Sequence, residues 1–315
     1  MKHLFIVNPT AGGHDRTALV AEEAERYFSS HGGDFEVYTT RAPMDACRKI
    51  EKEARYADDL RVYACGGDGT LNECVCGAAE KENVAVTSFP TGTGNDFIKM
   101  FGEEKSRFHV MDELIGGEVR PIDVMLCNGR YCANICSVGI DARIGTEVHQ
   151  YSRIPVIGGA TGYVVSLAVN LARGIKRPMR VKCGNQEFDG DMSLVCVCNG
   201  SHYGGGFNPV PEARPDDGVL DVLVVEGVSR LKFLRLVGAY ASGGYAGMPK
   251  YITHLRTRHI EIDSPEEFVI NVDGEALFSN HLDIRLIPGA LRFIFPAHMD
   301  YFKNVPPISA KQGRK

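Results

Sequence analysis

The sequence has no excess of positive charge: Lys and Arg number 35 against 40 Asp and Glu, for a net charge of -5 over 315 residues. That balance excludes a protein-wide electrostatic grip on nucleic acid, so any anionic partner must be met locally. A secretory leader is not recognisable either. Met1 to Pro9 carries one basic residue, Lys2, and a hydrophobic run too short for an export signal, so the chain is expected to start inside its first strand. The ten cysteines form no CxxC pair and no regular framework, which fits reduced thiols used as small hydrophobes and a reducing cytosol. Cys127, Cys132 and Cys136 have no nearby His ligand pattern and are expected to pack a core. The longest uncharged stretch, Ile154 to Ala172, is interrupted by Pro155, Gly158, Gly159 and Gly162, and is expected to be a loop leading into a buried helix rather than a membrane span. Internal repeats are absent. So are the GxxxxGK[ST], His-Arg-Asp, HExxH and GxSxG signatures, which removes the commonest nucleotide-binding and hydrolase templates.

What remains is a folded chain. Hydrophobic residues make up 44% and charged residues 24%, which excludes disorder and fibrous classes. At roughly 150 residues per domain the length suggests two. Over residues 1–124, short apolar runs alternate with amphipathic stretches. Strands are expected at His3–Val7, Phe35–Thr39, Arg61–Cys65 and Val84–Phe89, and helices at Arg16–His31, Ala42–Tyr56 and Leu71–Ala79. This is an α/β lobe. Residues 125–295 change texture to short alternating strands, including Tyr131–Val138, Ser193–Asn199, Leu220–Val225, His259–Asp263, Phe268–Val272, Asp283–Ile287 and Leu291–Phe295, with helices near Thr161–Arg173 and Leu231–Ala241. A β-sandwich-like second lobe is expected.

In open α/β sheets ligands sit beyond the carboxyl ends of strands, and three such ends are unusual. The strand ending at Cys65 runs into Gly66-Gly67-Asp68-Gly69-Thr70 and a helix opening Leu71-Asn72-Glu73. Glycines allow close backbone approach, and a helix start offers free amides to an anion. Asp68 would repel phosphate unless a cation intervened, which suggests a magnesium nucleotide. Asn8-Pro9-Thr10-Ala11-Gly12 follows Val7, and Pro90-Thr91-Gly92-Thr93-Gly94-Asn95-Asp96 follows Phe89. Small residues, hydroxyls and amides at three adjacent tips could line one nucleotide site, with Asp96 placed like Asp68 for cation or water contacts. Asp273-Gly274-Glu275 alone reads more readily as a surface hairpin turn.

Together these segments resemble the diacylglycerol kinase catalytic-domain family, bacterial lipid kinases related to sphingosine and ceramide kinases. The carriers are Asn8 to Gly12, GGDGT at 66–70 with Leu71 to Glu73, GTGNDF at 92–97, Pro211-Glu212-Ala213 with Asp217 to Asp221, and Asp273-Gly274-Glu275. The resemblance implies ATP- and magnesium-dependent phosphorylation of a lipid alcohol, diacylglycerol first, in a cleft between the α/β lobe and the β-sandwich lobe. The segment 296–315 would return to the first lobe. It implies an ATP-contacting set of Asn8, Pro9, Thr10, Ala11, Gly12, Thr40, Gly66, Gly67, Asp68, Gly69, Thr70, Leu71, Asn72, Glu73 and Thr93, with Asn95 and Asp96 beside it. By the same resemblance Asp273 is the general base, with Glu275 and Asp68 supporting the chemistry. A structural magnesium in the second lobe would be held by Asp217 and the carbonyls of Arg214 and Val219, linked to the active site through Asp68, Asp96 and Asp123.

One departure stands out: Gly13 occupies the place where the family often has Lys, so Arg16 or Arg41 is a candidate to supply the phosphate-facing charge. Leu231, Phe233, Leu234, Leu236, Val237 and Tyr240, mixed with Arg230, Lys232 and Arg235, make either a membrane-docking helix or one with a core face. Tyr203 to Phe207 is either a flexible rim or a plain loop. A cytoplasmic enzyme touching the membrane transiently is expected, with monomer and homodimer both open. A nicotinamide dinucleotide kinase, which shares a GGDGT loop, and a non-catalytic nucleotide-binding regulator are the alternatives.

Overall fold

The computed structural model describes residues 1–144, 169–171 and 173–301. Most of the stretch 154–172, most of the helix expected at Thr161–Arg173 and the whole tail from Ser309 to Lys315 lie outside the described residues. The chain divides into two compact units, one of residues 1–124, Arg214–Gly218 and 288 onward, the other of Met125–Ala213 and Val219–Ile287.

In the first unit, β1 (Lys2–Val7), β2 (Asp34–Thr39), β3 (Leu60–Gly66) and β4 (Val84–Pro90) form a parallel sheet in the order β4-β3-β1-β2. The end of β13 (Glu275–Phe295) joins it in parallel at the β4 edge, through Arg292 and Phe293. Helices α1 (Thr17–His31), α2 (Asp45–Glu53) and α3 (Asp68–Ala78) connect these strands, as parallel pairing requires. Leu4, Phe5, Ile6 and Val7 are all fully buried, the near-continuous apolar run of a strand covered on both faces. Each such side chain contributes about 1.5–3 kcal/mol by leaving water. His3 is drawn into this core, its Nδ1 2.8 Å from the Tyr63 hydroxyl and its ring stacked on Tyr63. A long 3-10 segment, Phe97–His109, and the short helix α4 (Met111–Ile115) follow β4. Neither has a sequence counterpart among the expectations above, because Phe97, Phe101 and Phe108 are organised by packing on Phe293 and Phe295 rather than by a helical period.

The second unit contains the end of β5 (Glu118–Cys127), then β6 (Arg130–Cys132), β7 (Ile135–Gly139), β8 (Arg177–Cys183), β9 (Gln186–Cys198), β10 (Leu220–Glu226), α5 (Arg230–Ala241), β11 (Ile252–Thr257), β12 (His259–Val272) and most of β13. Strand order is β11-β10-β9-β7-β12-β13, with β8 against β9 and β12. Alternation along β9 and β10 builds two cores. Val195, Val197, Val222 and Val224 face a cluster with Ile260, Ile262, Leu282 and Ile284. Leu194, Cys196, Cys198, Leu223 and Val225 face another with Tyr240 and Ile252. This is the two-layer packing of a sandwich.

Several expected boundaries shift. The run Tyr131–Val138 is two strands, β6 and β7, because the amides of Ala133 to Ile135 turn to a side-chain carboxylate. The pairs His259–Asp263 with Phe268–Val272, and Asp283–Ile287 with Leu291–Phe295, are the single long strands β12 and β13, the first with a shifted register between Asp263 and Phe268 and the second carried through Pro288 and Gly289. Nine of the ten cysteines are buried. Burial pushes the thiols of Cys127 and Cys132 well up, the behaviour of packing residues rather than reactive ones.

Candidate active site

Because β1, β3 and β4 run parallel in register, with Val7 opposite Cys65 and Gly66 opposite Pro90, the three unusual loops leave one edge of the sheet side by side. They are stitched together. The Asn8 amide donates to the Cys65 carbonyl at 3.0 Å, its side-chain Nδ2 reaches Thr70 Oγ1 at 3.3 Å, and its Oδ1 accepts the Thr10 amide and hydroxyl. Thr91 and Gly92 amides both donate to the Gly66 carbonyl. The Thr40 amide donates to the Val7 carbonyl.

The glycines here are demanded by contact. A Cβ on Gly92 would stand 2.5 Å from Gly67 Cα, one on Gly66 would stand 2.2 Å from Thr70 Oγ1, and one on Gly12 would stand 2.5 Å from the Thr91 carbonyl oxygen. Gly12 also has φ 65°, a left-handed conformation that favours glycine. Asp68, first residue of α3, accepts the Asp96 amide at 2.6 Å and the Phe97 amide through Oδ1, locking the third loop to the second. Thr91 Oγ1 and Asn95 Oδ1 are buried without a hydrogen-bond partner among the described residues. Orphaned polar atoms in a cradle of small residues are what a polar ligand or water would satisfy.

Not every residue of the expected set faces this edge. Leu71 and Asn72 are buried at 5% and 1% exposure, so their side chains belong to the interior, and the Leu71 amide already donates to the Gly67 carbonyl at 3.1 Å. Glu73 turns to α2, accepting the Met44 amide at 2.8 Å and the Ala46 amide at 3.2 Å at that helix's N-terminus. Pro9, Ala11 and Thr93 lie in the loops themselves and Gly69 in the first turn of α3, Thr93 and Gly69 exposed. Arg16 and Arg41 are exposed. Lys99 was not among the expected residues, yet its Nζ lies 2.5 Å from Asp96 Oδ1. Its signal was the i,i+3 spacing from Asp96.

Asp123, 3% exposed, accepts the Gly218 amide and the Gly289 amide, each at 2.8 Å. It thereby clamps the loop Arg214–Gly218, which groups with the first unit although the sequence texture places it among second-lobe strands. Within that loop Arg214 is paired with Asp216, at 3.0 Å and 2.9 Å, and lies over the Tyr301 ring. Val219, the third expected cation ligand, begins the following stretch of the second unit.

In the second unit, Asp273 and Gly274 are the two-residue turn joining β12 to β13, both at positive φ, 49° and 95°, as this hairpin type requires. The Asp273 carboxylate is gripped by backbone: Oδ1 accepts the Asn134 and Ile135 amides at 3.0 Å each and the Cys132 thiol, and Oδ2 accepts the Ala133 amide at 2.8 Å. Asn271 Oδ1 accepts the Gly274 amide at 2.7 Å. Glu275 is exposed two residues on. Sequence spacing could not show that residues 132–135 enclose a residue 138 or more positions away.

Two family models match the chain. Residues 2–127 match the diacylglycerol kinase catalytic domain, and residues 134–295 match the YegS C-terminal NAD kinase beta sandwich-like domain. A Pseudomonas aeruginosa (strain UCBPP-PA14) protein named "Probable lipid kinase YegS-like" is 29% identical over 311 residues, 96% of this chain and 97% of that one. A Bacillus subtilis (strain 168) protein named "Diacylglycerol kinase" is 26% identical, covering 86% of this chain and 88% of its own. The crystal structure of a diacylglycerol kinase from Bacillus anthracis str. Sterne superposes with a TM-score of 0.67 at 25% identity, over 95% of this chain and 98% of that one.

Proposed function

This chain belongs to the lipid kinase family that joins a diacylglycerol kinase catalytic domain to a YegS C-terminal domain, and from that premise we propose that it transfers the γ-phosphate of ATP to a lipid hydroxyl, diacylglycerol first. The observation that carries this reading is the knitted edge of three strand-tip loops, with its backbone-to-backbone glycine contacts and its orphaned Thr91 and Asn95 oxygens. Asn8, Thr10, Gly12, Thr40, the amides opening α3 and the loop from Thr91 to Asp96 would hold the nucleotide. Lys99 supplies a cation to the third loop, a role that Gly13 cannot fill. Asp68 and Asp96 offer the carboxylate oxygens a hard cation prefers, and bound magnesium would neutralise charge spreading over the phosphoryl oxygens. Asp217 and the nearby carbonyls are the proposed structural cation ligands, with Asp123 fixing their loop through the Gly218 amide.

Asp273 is the proposed general base. Its amide cage holds the carboxylate in one orientation, which a group that must meet a hydroxyl at hydrogen-bond distance requires. Leu231 and Leu234, 70% and 50% exposed on α5 beside Arg230, Lys232 and Arg235, would meet the surface of an anionic bilayer, the source of the lipid. No described helix is long and apolar enough to cross a membrane.

The test is transfer of radiolabelled γ-phosphate from ATP with magnesium to diacylglycerol, undecaprenol, sphingosine and a nicotinamide dinucleotide, in mixed detergent and anionic lipid micelles. A labelled lipid supports the reading and names the acceptor. Label on the dinucleotide alone, or ATP binding without transfer to any acceptor, overturns it.

A further inference from the structure

The Asp273 carboxylate is held by the amides of Ala133, Asn134 and Ile135, which the backbone supplies whatever the side chains are, and by one thiol, which only a cysteine supplies. Cys132, 141 positions away at the end of β6, donates its S–H to Oδ1 with the sulfur at 3.0 Å, a separation usual for a nitrogen donor and short for the larger sulfur. The two groups meet at a border. Cys132 is fully buried in a core it shares with Cys127, Cys136 and Val272, so water does not compete for its thiol, whereas Asp273 is half-buried. Cys127 lies within hydrogen-bond reach of both Cys132 and Cys136, so the pocket behind the thiol is closed by further sulfur and not by a competing oxygen.

We propose that Cys132 is a positioning residue for phosphoryl transfer: its S–H anchors Asp273 Oδ1 on the core side, so that the carboxylate meets the substrate hydroxyl in one orientation. The inference rests on Asp273 as the general base. With the Asn134 and Ile135 amides, the thiol is the third donor converging on Oδ1, and it approaches from the core and not from the backbone of the cage. Rotation of the carboxylate would break all three bonds together.

A thiol suits this task. It is a weak donor, so it fixes direction while drawing little charge from the carboxylate, and a proton acceptor must keep that charge. Burial, the Cys127 sulfur and the Asp273 charge push the Cys132 thiol well up, so it stays protonated and donates throughout the physiological range. Cys183, 4% exposed in the same core cluster, offers the comparison that separates this role from packing.

Steady-state phosphoryl transfer by the full chain to its lipid acceptor, together with infrared spectra of its thiols, tests this. Cys132→Ala should lower kcat about ten-fold or more while KM for ATP and for lipid stays within about two-fold, because a base turned out of line weakens the chemical step and not binding. Cys132→Ser restores a donor and should recover kcat to within about three-fold of wild type. Cys183→Ala removes a sulfur of the same core from β8, and should cost stability but leave kcat unchanged. Where Cys132→Ala does not fold, Cys132→Val, apolar and slightly larger, takes its place. In the infrared, the S–H stretch of Cys132 should lie below those of the other thiols, vanish in Cys132→Ser and rise in Asp273→Asn, whose Oδ1 is a neutral acceptor. Full activity without the thiol, equal losses of kcat in the Cys132 and Cys183 variants, or no low-frequency S–H band overturns the proposal. A wild type that phosphorylates no lipid overturns the lipid kinase reading and this role with it, yet leaves the infrared band in place, so the two failures are told apart.

Discussion

Removing the carboxylate of Asp273 separates its structural role from its proposed chemical one. Three amides, those of Ala133, Asn134 and Ile135, have that carboxylate as acceptor at 2.8–3.0 Å, and all three residues are at most 7% exposed. A hydrogen bond to a charged group contributes about 1.5–3 kcal/mol, and a buried amide left without a partner costs about 1–3 kcal/mol. Asp273→Ala strands all three and puts alanine at φ 49°, adding about 1 kcal/mol of backbone strain, so a loss of about 4 kcal/mol or more is expected. Asp273→Asn retains Oδ1 and suits the turn, since Asn-Gly is favoured there. It sets an NH2 against the Ala133 amide alone, a loss of about 1.5–3 kcal/mol. Urea unfolding followed by far-UV circular dichroism, with thermal midpoints expected to fall by about 2–4 °C per kcal/mol, measures both. An Asn variant as stable as wild type, with Ala no worse than Asn, refutes the cage. With folding verified, transfer assays on Asp273→Asn then decide the chemistry: a folded, inert variant supports the base, and a folded, active one leaves Asp273 as an anchor only.

Gly92→Ala drives a Cβ against Gly67 Cα and N at 2.5 and 2.9 Å, so it should destabilise by about 1–3 kcal/mol and weaken ATP binding at least ten-fold by calorimetry; unchanged binding would mean the loops do not form the nucleotide edge. Glu73→Ala should remove the acceptor for two amides at the start of α2 and lower stability by about 0.5–2 kcal/mol. If Glu73 serves the nucleotide instead, Glu73→Gln will weaken ATP binding without altering the unfolding midpoint. Burial and the nearby Arg61 charge push His3 down to about 4. The unfolded chain therefore takes up that proton first as pH falls below about 6.5, and a contribution of about 3 kcal/mol is present above 6.5 and lost progressively towards pH 4. His3→Phe should flatten stability against pH across that window; an unchanged acid-unfolding profile would show that His3 is already charged in the fold.

The sequence by itself determined the two architectures and the three loops, because strand-helix alternation, period-two alternation and glycine-rich strand ends are local signals. Val7, Cys65 and Phe89 each precede the loop that the structure brings to one edge, since parallel strands in register must end together. The Asp273-Gly274 turn was equally legible as a turn. What the tertiary structure decided were partners set by distant chain. The cage of Ala133 to Ile135 around Asp273, the clamp of Asp123 on Gly218 and Gly289, the capping of α2 by Glu73 and the pairing of Asp68 with the Asp96 amide each join segments 27 or more residues apart. The reach of the Cys132 thiol to Asp273 belongs with them. A residue's type states which hydrogen bonds it can make, and only the packed chain states which donors reach it and whether water does.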